Sequence, residues 1–93
     1  MKIQISCSDK HEASKLASLI FIRDGKETFL SAILNIYDNE VVVALKDKSA
    51  HSLVLKDSHE VERFADFIQS VLDKTDKIID AVATDEIVEI VKG

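Results

Sequence analysis

The sequence has no proline, no tryptophan, two glycines and one cysteine, Cys7. A lone cysteine excludes an internal disulfide framework and any site built from several thiolates, and it suits a reducing compartment. With no proline and glycine only at positions 25 and 93, nothing marks a linker or low-complexity tract, so residues 1–93 read as one domain. Long apolar runs are missing too. The longest uncharged stretches, Leu16 to Ile22 and Thr28 to Tyr37, fall short of the roughly 20 residues that span a bilayer, and no membrane association is expected. Met1 to Ser6 alternates around a single Lys and lacks the apolar stretch of a secretory signal, so a cytoplasmic location is expected. Lys and Arg form no cluster, which speaks against a nucleic-acid role.

What is present is 46% hydrophobic and 31% charged, a composition within the globular range, with a formal net charge of −5. Residues 1 to 57 hold eight acids against eight bases, whereas residues 58 to 93 hold nine acids against four. The whole net charge therefore sits in the last third, whose complement is a basic partner.

Lys2 to Ser6 alternates as a strand with Ile3 and Ile5 on one face. Asp9 then offers an N-cap with Glu12 three residues on, the spacing of a capping box, and Ala13, Leu16, Ala17 and Ile20 recur at helical intervals. Gly25 suits the helix stop. In an alternative reading, Arg23-Asp24-Gly25-Lys26 is a hairpin turn that makes Leu19 to Arg23 a strand. Thr28 to Ile36 and Glu40 to Lys46 read as strands around an Asp38-Asn39 turn. The order then restarts: a strand at His51 to Lys56, and a helix opened by Asp57 with the apolar stripe Val61, Phe64, Ala65, Ile68, Val71 and Leu72. Strands at Lys77 to Ala83 and Glu86 to Lys92 follow, around Thr84-Asp85.

Asp9 to Ile20 aligns with Asp57 to Ile68 at an offset of 48, pairing Lys15 with Arg63 and Leu16 with Phe64. Further on, Asn39-Glu40-Val41-Val42 lies against Asp85-Glu86-Ile87-Val88 after a two-residue slip. The expected fold is α+β: a tandem β-α-β-β repeat, about 1–47 and 48–93, with a mainly antiparallel sheet and two helices packed on one face.

This element order resembles the duplicated module of gyrase-inhibitor-like and effector-binding domains, whose halves pack about a pseudo-two-fold axis. The resemblance implies binding, either of a small ligand in a pocket between the halves or of a protein. In size and acidity the chain is also similar to the small proteins of phages and mobile elements that inhibit host enzymes.

Cys7, Asp9 and His11 stand together at a helix start, where the dipole lowers a thiol pKa and His can act as base, so a minor Cys-dependent enzyme is one reading. His11, His51 and His59 with one Cys match no zinc spacing; neither a metal nor a cofactor is expected. Phe21, Phe29, Tyr37, Phe64 and Phe67 are spaced as core residues. The second helix carries Glu62, Asp66, Gln69 and Asp73 on its polar face, with Arg63 its only base up to Asp73. This is the candidate binding surface, and a non-enzymatic, regulatory protein–protein role the leading expectation. Along the C-terminal strand, Ile87 and Val91 share a side with Glu89, and Val88 with Ile90 the other. If this strand lies at a sheet edge, it offers pairing for a homodimer.

Overall fold

A computed structural model describes residues 1–21, 30–73 and 77–93. Gly25, the Arg23–Lys26 turn, Phe29 and the side chain of Tyr37 lie outside the described residues. The elements are β1 (Lys2–Ser6), α1 (Lys10–Ile20), β2 (Leu30–Tyr37), β3 (Glu40–Leu45), β4 (Ala50–Val54), α2 (Ser58–Leu72), β5 (Ile78–Thr84) and β6 (Ile87–Lys92). This is the expected α+β order, and Leu19 and Ile20 are helical, not part of a strand.

Among the described residues, six antiparallel strands form two three-stranded sheets, ordered β1-β6-β5 and β2-β3-β4. The two halves exchange parts: β1 of the first half pairs with β6 of the second, and β4 of the second pairs with β3 of the first. Helix α1 lies on β5 and β6, and α2 lies on β2. Each layer thus joins a strand and helix from one half to a hairpin from the other.

β6 is the middle strand of its sheet, paired with β1 on one side and β5 on the other. The expectation that this C-terminal strand offers an edge to a second chain is corrected: its backbone groups are spent on two ladders. Its faces are as expected, with Val88 and Ile90 buried and Ile87, Glu89 and Val91 turned outward.

The helices follow their sequence signals. Asp9 and Asp57 are N-caps with nearly identical backbone (φ −157° and −159°), and their carboxylates accept from Glu12 N–H and Glu60 N–H, both at 2.9 Å. Ala13, Leu16 and Ile20 of α1 and Val61, Phe64 and Ile68 of α2 enter one shared core with Ile5, Val43, Leu53 and Ile90. The chain exposes 5479 Å², close to the roughly 5,400 Å² expected of a monomer of this mass. The core residues named above are buried within the single chain.

The hairpin turns fix the repeat more closely than the sequence did. Asp38 and Asp85 both take left-handed backbone, φ 52° and 53°, the sign that suits a two-residue hairpin and that Asp tolerates. They are 47 residues apart, so the second turn is Asp85-Glu86, and the slip between hairpins is one residue, not two.

Candidate functional site

Two groups of acidic side chains in this molecule do different things. The first lies at the seam between the halves. Cys7 and Leu55 face each other in an isolated antiparallel bridge, with Ser8 N–H donating to Val54 C=O at 3.1 Å and Lys56 N–H donating to Ser6 C=O at 3.0 Å. An unbroken ladder would also send Ser6 N–H to Lys56 and Val54 N–H to Ser8. Instead Ser6 N–H donates to Glu60 Oε1 at 3.0 Å, and Val54 N–H donates to Glu12 Oε2 at 3.4 Å. Each carboxylate replaces a missing backbone acceptor on the strand beyond the seam.

This corrects the capping-box reading. The N-cap half of the box forms, but the carboxylates of Glu12 and Glu60 reach the opposite half instead of their own cap N–H. Each also holds a base one turn on: Lys15 Nζ lies 3.0 Å from Glu12 Oε2, and Arg63 Nη1 lies 2.6 Å from Glu60 Oε2. Glu60 is 7% exposed, the one buried charged residue among those described. Burial pushes its carboxyl pKa up, yet Ser6 N–H and Arg63 together outweigh burial and hold it below the ordinary value. The pairing of Lys15 with Arg63 in the repeat was the sequence signal for this network.

Cys7, the candidate nucleophile, is buried in the seam. Burial first, and then the nearby charges of Glu12, Asp9 and Glu60, push its thiol pKa up to about 12. The dipole of α1 does not prevail, and the group is a thiol at neutral pH. His11 is exposed. Cys7 and Leu55 meet at the seam and are both buried in the core.

His51 is half-buried, with Nε2 2.9 Å from Ser49 Oγ, and Ser49 Oγ and N–H both donate to Asp47 Oδ1, the N–H at 2.9 Å. These bonds hold the Asp47 carboxyl below the ordinary range. The arrangement staples the β3–β4 turn around Lys48, whose φ is 72°. His59 is exposed on α2, and no group of metal-ligating side chains gathers among the described residues.

The second group is the outer face of α2. Glu62, Asp66, Gln69 and Asp73 are all exposed, as the spacing predicted. Asp73 is the C-cap, its N–H donating to Gln69 C=O at 2.9 Å and its Oδ1 accepting from Gln69 Nε2 at 3.1 Å. A carboxylate at a helix C-terminus opposes the macrodipole, and Glu62 with Asp66 is a like-charge pair one turn apart. No basic residue occupies the last turn of α2. At the equivalent positions of α1 stand Ser14 and Ser18, also exposed. At these two outer-face positions one half therefore carries serine and the other an acid.

No helix among the described residues is long and apolar enough to cross a membrane. Comparison of the chain with protein-family models, with curated proteins and with solved structures finds no match in any of the three.

Proposed function

We propose that this chain is a non-enzymatic binding module that engages a protein with a basic surface through the α2 face formed by Glu62, Asp66, Gln69 and Asp73. One observation carries the reading. These carboxylates stand where helix physics disfavours them, in a half whose structural twin holds serine at two of the same places. Charge that the fold neither needs nor welcomes is explained by a partner that neutralises it. Small size and a core buried within the single chain suit a regulator that works by occupying another protein's surface, as an acidic inhibitor of the phage or mobile-element kind does.

The test is recovery of partners from the native cell by the wild-type chain and by the Glu62→Lys/Asp66→Lys/Asp73→Lys variant. A partner with a basic contact surface, recovered by the first and lost by the second, is the expected result. Equal recovery by both rejects this face.

A further inference from the structure

The outer face of the β1-β6-β5 sheet, turned away from both helices, holds a depression of about 420 Å³. It is lined by Gln4, Val82, Thr84 and Ile87, termed its floor, and by the acids Asp85, Glu86 and Glu89, termed its rim. Val82 is 42% exposed and Ile79, further along β5, is 50% exposed; besides Met1 they are the large exposed apolar side chains among the described residues. Cys7 N–H donates to Glu86 C=O at 2.7 Å, so the tip of the hairpin is anchored to the seam. Glu89 lies 3.4 Å from Lys2, whereas Asp85 and Glu86 form no ion pair among the described residues.

The other half supplies an internal control. Next to the turn the β2-β3 hairpin has the same register, with Asn39 standing where Glu86 is, Glu40 where Ile87 is, and Val42 where Glu89 is. This floor with this acidic rim is thus no requirement of the fold. We infer that this depression seats a basic side chain, Lys or Arg, flanked by apolar residues on an extended segment of a protein partner. The floor takes the aliphatic stem and the apolar neighbours, and the rim takes the charged head. A second copy is the poorer complement, since it brings the same acids to the contact.

The experiment is an amide-shift titration of the full chain with the blocked pentapeptide Val-Arg-Val-Lys-Val, and with its counterpart bearing Glu for Arg and Lys. Saturable shifts at Gln4, Val82, Ile87 and Glu89 are expected with the basic peptide alone. Binding should weaken about five-fold in Asp85→Asn/Glu86→Gln, by loss of rim ion pairs. It should also weaken in Val82→Ser and persist in Glu62→Lys/Asp66→Lys, which separates this face from the α2 face. The Asn and Gln variant keeps the backbone and the floor, so it remains decisive if Val82→Ser does not fold. Equal response to both peptides, shifts confined to α2, or unweakened binding by the rim variant overturns the inference. Shifts of the same amides with chain concentration alone overturn it in favour of a second copy.

Discussion

Ser6 N–H donates across the seam to Glu60 Oε1 at 3.0 Å, and the other oxygen of that carboxylate takes Arg63 at 2.6 Å. A strand of one half is thereby tied to a helix of the other by a side chain that stands in for a ladder carbonyl. Glu12 repeats the arrangement toward Val54 at 3.4 Å, longer than a good N–H···O bond. The two ties are equivalent by position and unequal in strength.

Because the folded Glu60 carboxyl lies below its ordinary value of 4.5, the unfolded chain binds more protons than the folded one around that pH, and stability rises with pH there. The contribution is complete above the unfolded value and disappears as pH falls through the folded one. Urea midpoints measured from pH 7 down to 3 should drop for the wild type, and Glu60→Gln should flatten part of that drop. An identical pH profile in the variant contradicts the assignment.

Cys7 titrates in the opposite sense. A folded pKa of about 12 against an ordinary 9.0 means that the unfolded chain gives up its proton first, so stability is complete below about pH 9 and falls above it. Iodoacetamide at pH 8 should label Cys7 only as fast as the chain opens, with urea accelerating the reaction at least tenfold. Rapid labelling of the folded chain would reveal an accessible thiolate.

Asp38 and Asp85 pay a steric cost for left-handed backbone that glycine does not. Asp38→Gly and Asp85→Gly should leave stability within about 0.5 kcal/mol of wild type or raise it. Asp38→Val and Asp85→Val should each cost about 1–2 kcal/mol, measured by urea unfolding. A harmless valine at either turn would refute the shared turn geometry.

Much of this architecture was legible in the sequence, for local reasons. Asp9 and Asp57 mark their helices, Ala13, Leu16 and Ile20 state a helical period, and Ile3 and Ile5 state a strand face, because each signal is read by neighbours in the chain. Strand exchange was not legible, since nothing within β1 says that its partner lies over 80 residues away in β6. The cross-seam role of Glu12 and Glu60 was hidden behind a motif that explains the same residues locally. The offset of 47 between hairpins depends on Asp38 and Asp85 sharing a backbone conformation, while the residues around them match as well one place over. Of the candidate site, the exposed face of α2 was legible from spacing alone. The acid-rimmed depression was not, because it draws on β1, β5 and β6 together.

Asp73 at the C-cap of α2 opposes the helix dipole. Asp73→Asn should raise stability by a few tenths of a kcal/mol, and Asp73→Lys by about 0.3–1 kcal/mol at low salt, with the gain shrinking as salt screens it. A destabilising Asp73→Lys would mean that the carboxylate serves the fold.

The acids of α2 divide into Glu60, which ties the halves together, and Glu62, Asp66 and Asp73, which lie exposed on its outer face. Urea unfolding of Glu60→Ala beside Glu62→Lys/Asp66→Lys/Asp73→Lys measures that division directly. Losing Glu60 leaves the part-buried Ser6 N–H without its carboxylate acceptor and frees the half-exposed Arg63, so a loss of about 1–2 kcal/mol is expected, while the triple variant should unfold at or above the wild-type midpoint. A stable Glu60→Ala, or a triple variant weakened by a comparable amount, would contradict it.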